Sequence, residues 1–234
     1  MFSFKLLTRV CENPVLMCAR QKLPLKVLRF AIMNLTPINP NILTKVLQTF
    51  RGYLEPKSIG ARAFARISAT SKGVGGEVDT SAHRGAAVGL ANKLGIPVIN
   101  GPPEDGFSWD GRAVRVQSEA SVLIHEIAHW LITPPSRRHL PDFGLGAGPE
   151  TGRAAEANVA CCVDDLTKER EEQRASMLGI LIEAANGLPA IHSFVEQNWL
   201  EAWERPAAGE QFRQVVHDLH TAGYIAKTGR PCVF

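Results

Sequence analysis

The chain has 234 residues, of which 45% are hydrophobic and 21% are charged, a composition that fits one globular domain of fair size. Its net charge of +3 is too small to indicate direct binding to nucleic acid. No stretch approaches the roughly 18 to 20 apolar residues that a membrane span needs, so no membrane partner is expected. The five cysteines are irregularly spaced and form neither a disulfide framework nor a CxxC zinc site, which favours a reducing, cytoplasmic setting.

The first 32 residues differ from the rest of the chain. They carry six basic side chains against a single acid, Glu12. This charge is typical of a transit peptide, but the segment contains two prolines and few serines. Three interpretations stay open: a dispensable extension before a true start at Met17 or Met33, an ordered basic arm, and a targeting peptide. The remaining residues, 33–234, are predicted to form a single domain, with 167–234 as its helical C-terminal part.

Apolar residues at helical spacing predict three helices before any strand, at 41–54, 57–69 and 80–94. A short apolar strand is expected at 96–100. The segments 107–109 and 113–116 flank Asp110-Gly111, a dipeptide typical of a β-hairpin turn. Ser118 is expected to cap the next helix, which must end before Pro134. Four more helices are predicted beyond it, at 153–166, 168–186, 188–203 and 207–222. Helices, a small sheet and further helices predict an α+β fold.

The helix that follows Ser118 contains the segment SVLIHEIAHWLIT, residues 121–133. Positions i and i+4 lie one turn apart on nearly the same side of a helix, so His125 and His129 are expected to project side by side. Two neutral imidazoles in this arrangement can bind one metal ion, usually zinc. Glu126 points about 100° around the helix, where it can reach a water on the metal as the general base of an HExxH motif.

The apolar neighbours of these three residues favour a metal site over a solvated helix face. A carboxylate or an imidazolium that loses water without gaining a partner costs several kcal/mol. A bound cation removes that cost, because it compensates the carboxylate and leaves both imidazoles neutral. The alternative is a surface helix on which His-Glu-His faces water, and the apolar run argues against it.

A catalytic zinc site needs a third protein ligand and one open position. The sequence offers His139, Asp142, Glu150 and Glu156. We prefer Glu156. In a helix over 153–166 it would lie on one side with Val159, Ala160 and Val163, and this apolar side is expected to face the core. His139, ten residues after His129, is the second choice.

These features resemble the gluzincins, and more narrowly the ImmA/IrrE-type metallopeptidases. The matching segments are LGIPVIN (94–100), AVRV (113–116), HEIAH (125–129) and EANVACCVDDL (156–166). The resemblance implies a zincin-like fold, in which a small sheet with its hairpin packs on the active-site helix and the C-terminal half is mostly helical. It also implies His125, His129 and Glu156 as Zn²⁺ ligands, with Glu126 as general base.

The leading hypothesis is therefore a zinc-dependent metallopeptidase that hydrolyses a protein or peptide substrate. His139 is the best-placed candidate to stabilise the oxyanion, ahead of His217, His220 and Tyr224. The alternative function is a catalytically inactive zinc-binding protein that regulates or binds a partner. Aromatic residues in the C-terminal helices would provide either a core or the surface for such a protein partner.

Overall fold

The computed structural model describes four segments of the chain, 40–73, 78–102, 109–147 and 153–232. The predicted N-terminal extension, 1–32, lies outside these residues, as do the first part of the predicted hairpin and Glu150. Among the helices that are described, none combines the length and the apolar character needed to cross a membrane.

Eight α-helices and two short strands make up the described segments. In chain order they are α1 (Pro40–Gly52), α2 (Ile59–Ala69), α3 (Ser81–Lys93), β1 (Val98–Ile99), β2 (Val114–Arg115), α4 (Ala120–Ile132), α5 (Ala154–Ala160), α6 (Asp165–Ala185), α7 (Ala190–Glu196) and α8 (Pro206–Thr221). Helices before and after a small two-stranded sheet are compatible with the predicted α+β class.

Two predicted helices are shorter than the apolar pattern indicates. The predicted helix 153–166 ends at Ala160, because Cys161 turns to an extended backbone (φ −61°, ψ 125°). Asp164 then caps α6 by accepting a 2.7 Å hydrogen bond from the Thr167 amide. The predicted helix 188–203 is helical only over α7, and Asn198 adopts a left-handed φ of 65° that an α-helix does not allow. The other predicted helices are confirmed.

The sheet differs from the predicted hairpin in its pairing. β2 runs parallel to β1, with Val98 opposite Val114. Across the predicted turn, the described residues show a single antiparallel bridge between Trp109 and Val114. Asp110 holds this turn, since its Oδ1 accepts hydrogen bonds from the amides of Arg112 (2.9 Å) and Ala113 (3.0 Å). The turn is therefore confirmed, while the principal strand partner of 113–116 is β1.

The core is centred on α4 and α6, which pack along most of their lengths. Gly179 lies against the backbone of α4, where an added Cβ would make ordinary van der Waals contact with the His125 Cα at 3.5 Å. The aromatic residues of the C-terminal helices, Phe194, Trp199 and Phe212, are buried and join the same core. Of the two predicted roles for these rings, a core is the one that the structure confirms.

The start of α4 is capped from a distant segment and not by Ser118. The N-cap residue is Glu119, whose side chain makes no capping hydrogen bond. Instead, Oδ1 of Asp79, in the loop before α3, accepts a 3.0 Å hydrogen bond from the Ala120 amide. Ser118 is buried, and its hydroxyl has no hydrogen-bond partner. The predicted cap was wrong because a carboxylate from another part of the chain satisfies the amide that Ser118 was expected to reach.

A buried carboxyl group near the end of α6 makes stability depend on pH. Glu183 is 3% exposed, and both of its carboxylate oxygens accept from the Ser193 hydroxyl, at 2.9 and 2.7 Å. Burial raises the pKa of Glu183 from 4.5 to about 7, with the Ser193 hydrogen bond opposing part of that rise. The folded state therefore binds a proton more tightly than the unfolded state. This contribution to stability is full below pH 4.5, is lost as pH rises toward 7, and stays lost above it.

We expect Glu183→Gln to stabilise the protein at alkaline pH, because the neutral amide avoids the cost of a buried carboxylate. The gain in unfolding free energy should be about 2 to 3 kcal/mol larger at about pH 8.5 than at about pH 5. Urea unfolding at both pH values measures it. Glu201→Gln, a substitution at an exposed residue, is the control and should show no such difference. Equal effects of Glu183→Gln at the two pH values would contradict the prediction.

Candidate metal centre

Helix α4 places the two histidines of the motif as the spacing predicts. The Nε2 atoms of His125 and His129 lie 3.0 Å apart. The His129 side chain is 4% exposed, and that of His125 is 25% exposed. One imidazole is thus fixed in the core, and the other reaches the surface of the site.

A glutamate from α6 completes the group. Oε2 of Glu172 lies 3.2 Å from the His129 Nε2 and 3.6 Å from the His125 Nε2. Two ligands held 2.0 to 2.1 Å from a tetrahedral zinc ion are separated by about 3.3 Å. The three atoms therefore form a triangle of the size that one face of such a site requires. Among the described residues, His125, His129 and Glu172 are the group that could hold a metal ion.

The electrostatics of this group favour a cation between the imidazoles and the carboxylate. Burial lowers the pKa of His129, but the Glu172 carboxylate outweighs it and the net pKa is raised. Burial raises the pKa of Glu172, but the charge of His129 and hydrogen bonds from both imidazoles hold that pKa well below its usual range. In the metal-free protein, the Glu172 carboxylate thus favours a proton on the His129 imidazole. A metal ion would supply a positive charge at the same place and could bind both Nε2 atoms at once.

Glu126 lies beside the triangle without being part of it. Burial raises the pKa of Glu126, and the two histidines oppose that rise. Within the part of the chain that the structure describes, its carboxylate accepts no hydrogen bond. It is therefore free to interact with a water molecule or a substrate group, as the general-base position in the motif requires.

A second glutamate on α6 fixes the helix that carries Glu172. Glu171 accepts a 2.9 Å hydrogen bond from the buried Thr133 hydroxyl at the end of α4, and it forms an ion pair with Arg137. Arg137 also donates to the Phe143 carbonyl at 2.9 Å. These contacts tie α6 and the loop after α4 to the end of the motif helix. Glu172, the next residue, is thereby placed at His129.

The predicted third ligand, Glu156, is not brought into this group. Its side chain is 48% exposed and pairs with Arg153. The inward stripe on which its choice rested does not exist, because α5 ends at Ala160 and Val159 is 86% exposed. Since the helix stops after two turns, the face that carries Glu156 meets solvent.

The remaining candidates also lie outside the triangle. His139 is exposed in the loop after α4, and Asp142 occupies a tight turn with a φ of 44°. The Nδ1 of His220 donates a 2.9 Å hydrogen bond to the Ile225 carbonyl, and His217 lies on the same helix, α8. The role predicted for His139 in stabilising an oxyanion stays a prediction.

Glu172 was missed, although the sequence carried a signal for it. The buried positions of α6 include Ala175, Gly179 and Ile182. Glu172 precedes them by three, seven and ten residues, which extends the same helical face by one turn. A glutamate that continues an apolar stripe needs a partner, and the motif histidines provide one.

Comparison of the chain with protein-family models, with curated proteins and with solved structures finds no match. The interpretation of this centre therefore rests on the residues and geometry of the chain itself.

Proposed function

We propose that the protein is a zinc-dependent metallopeptidase of the gluzincin type, with a zincin-like fold. His125, His129 and Glu172 would hold the zinc ion, and Glu126 would act as general base. The observation that carries this proposal is the triangle of three ligand atoms, 3.0 to 3.6 Å apart, contributed by an HExxH helix and a glutamate of a second helix.

The chemistry of the donor set supports zinc. Two imidazole nitrogens and one carboxylate oxygen are the ligands of a common class of catalytic zinc sites, in which a fourth position stays open. The Glu172 side chain is 43% exposed, so a water molecule and a substrate can approach from its side. Structural zinc sites are instead closed by four protein ligands. The same donors also suit Fe²⁺ in some enzymes, so both metals must be measured.

The proposed reaction divides the work between the ion and Glu126. When bound, zinc would supply a Lewis acid that acidifies a water molecule and polarises a peptide carbonyl. Glu126 would accept a proton as that water attacks the carbonyl, and would then donate it to the departing amine. The raised pKa of Glu126 suits this role, because burial makes its carboxylate a stronger base than one in water.

The resemblance to ImmA/IrrE-type metallopeptidases agrees with a glutamate ligand downstream of the motif, but with Glu172 in place of Glu156. The substrate would be a peptide or a protein. We propose a cytoplasmic setting, because Cys161, Cys162 and Cys232 are free thiols and a reducing compartment keeps them so.

Metal content tests this proposal directly. Elemental mass spectrometry of purified wild-type protein should find about one zinc ion per chain and little iron. His129→Ala should lose most of it, because the substitution removes one of the three ligands. Wild-type protein that contains no zinc, even after zinc is supplied and excess is removed, would overturn the proposed function. Iron in place of zinc would also overturn it.

A further inference from the structure

The loop after α4 holds two non-glycine residues in an unfavourable backbone conformation. Asp142 and Phe143 have φ values of 44° and 54°, and Gly144 follows at 73°. A left-handed conformation costs a non-glycine residue on the order of 1 to 3 kcal/mol, and persists only where the surroundings enforce it. Such strain is concentrated at functional sites.

Hydrogen bonds hold this loop from several directions. The Phe143 carbonyl accepts from Arg137 at 2.9 Å, and the Gly144 carbonyl accepts from the Cys162 amide at 3.0 Å. The Asp142 amide donates to the Trp109 carbonyl at 3.1 Å. Only glycine fits at position 144, since a Cβ there would lie 2.7 Å from the Cys162 Sγ. The strained conformation is thus held by Arg137 of the same loop, by Trp109 before β2 and by Cys162 after α5.

Two further side chains anchor the end of the same loop. Asn158 of α5 accepts a 3.0 Å hydrogen bond from the Ala147 amide through its Oδ1. Lys168 of α6 donates to the Ala147 carbonyl at 2.7 Å. Hydrogen bonds therefore hold the described part of the loop on both sides of Phe143.

The consequence of this geometry is the position of the Phe143 ring. Phe143 is 1% exposed. Its ring stacks on the Trp109 ring, with centroids 5.1 Å apart and planes at 5°, and on the His129 imidazole, at 5.4 Å and 18°. Offset stacking at these separations is the favourable arrangement for aromatic pairs.

Stacking distinguishes His129 from the other imidazole of the site. A metal-binding histidine almost always donates its second ring nitrogen to a carboxylate, a carbonyl or a water. Among the described residues, neither His129 nor His125 has a protein hydrogen-bond partner at its buried Nδ1. The His129 imidazole, however, is stacked on the Phe143 ring, and this contact orients the plane of its ring.

We propose that Phe143 is a positioning residue of the metal centre, and that its stacking on His129 fixes the plane of the imidazole. This inference rests on the proposed zinc site. Phe143 contacts neither the metal nor a substrate. It holds the His129 imidazole so that Nε2 faces His125 and Glu172. The strained loop positions the Phe143 ring against that imidazole.

The test compares zinc affinity in two variants that lose a similar buried ring. Phe143→Leu removes the flat face at His129. Phe64→Leu makes the same change in the core of α2, where Phe64 is also 1% exposed and packs on Phe50, Phe194 and Phe212. Competition with a chromogenic chelator, below the unfolding temperature of both variants, measures the zinc dissociation constant.

We expect Phe143→Leu to weaken zinc binding by about 10-fold or more, the usual effect of losing an orienting partner. Phe64→Leu should bind zinc as the wild type does, although it is less stable. Phe143→Tyr, which keeps the flat ring, should restore the affinity and the visible spectrum of the cobalt-substituted protein. Where Phe143→Leu does not fold, Phe143→Met fills nearly the same volume without a ring and takes its place.

The result that overturns the proposal is equal zinc affinity in Phe143→Leu and Phe64→Leu while the wild type binds zinc. That outcome would leave the metallopeptidase proposal intact. Absence of zinc from the wild type itself would instead remove the proposed function, so the two failures are distinguishable.

Discussion

Glu126→Gln should abolish peptide hydrolysis while the protein still binds about one zinc ion per chain. The amide has the shape of the carboxylate but cannot accept a proton, and loss of a general base lowers a rate by about 10²- to 10⁴-fold. The three residues that would hold the metal are unchanged, so its content should not fall. The substitution also removes a buried carboxylate whose pKa is raised by burial, so the variant should fold at least as well as the wild type.

The measurement uses zinc-loaded protein and a mixture of synthetic peptides, with products identified by mass spectrometry. The control is Glu119→Gln, which changes an exposed glutamate at the start of α4 that makes no capping bond. It should cleave at the wild-type rate. Cleavage by Glu126→Gln at the wild-type rate would contradict the general-base role. Zinc bound to a wild-type protein that cleaves no peptide would instead favour the alternative function, a zinc-binding regulator without catalytic activity.

Local helix geometry determines the positions of some residues of the site, and tertiary packing determines the positions of the others. His125, Glu126 and His129 follow from helical spacing alone, so the sequence was sufficient to place them on one helix. Glu172 is separated from His129 by 43 residues, and its position depends on how α6 packs against α4. Gly179 lies where the backbones of the two helices approach each other, opposite His125. Periodicity within one segment contains no information about such an approach.

The helix expected to carry Glu156 on an inward stripe differs from its prediction for a similar reason. The apolar pattern at 153–166 was interpreted as one helix, whereas the chain forms α5, an extended link at Cys161 and a new helix capped by Asp164. The bond between the Cys162 amide and the Gly144 carbonyl holds this link. Because the helix is interrupted at Cys161, residues before and after it that would line up in one continuous helix do not share a face. Of the Glu-Ala-Asn segment, it is Asn158 that supports the loop beside the centre, through its bond to Ala147.

The strained loop was also beyond sequence reasoning. No pattern in the sequence predicts that Asp142 and Phe143 adopt left-handed conformations. Those conformations are enforced by Arg137, Cys162 and Trp109, which come from three different places in the chain. Tertiary contacts offset the cost of this strain, and they exist only in the folded protein. Local propensity therefore predicts ordinary, right-handed or extended conformations for both residues.

Replacing Glu172 and Glu156 one at a time distinguishes the ligand seen in the structure from the one that the resemblance implies. Glu172→Ala removes a carboxylate 3.2 Å from the His129 Nε2, and should weaken zinc binding by more than the roughly 10- to 100-fold that follows loss of an orienting partner. Glu156→Ala removes an exposed carboxylate paired with Arg153. It should bind zinc with wild-type affinity, because surface ion pairs contribute about 0 to 1 kcal/mol even to stability.

The two substitutions are matched in chemistry, so any difference between them reports the position of the carboxylate. Dissociation constants from chelator competition provide the comparison, and circular dichroism confirms that both variants stay helical. Zinc kept by Glu172→Ala and lost by Glu156→Ala would contradict the triangle, and would mean that α5 rearranges to bring Glu156 to the histidines. Because Glu172 contributes most to raising the pKa of His129, while burial lowers it, its loss should lower that pKa in the metal-free protein. A titration of His129 by NMR that moves to lower pH in Glu172→Ala would place that carboxylate beside the imidazole independently of any metal.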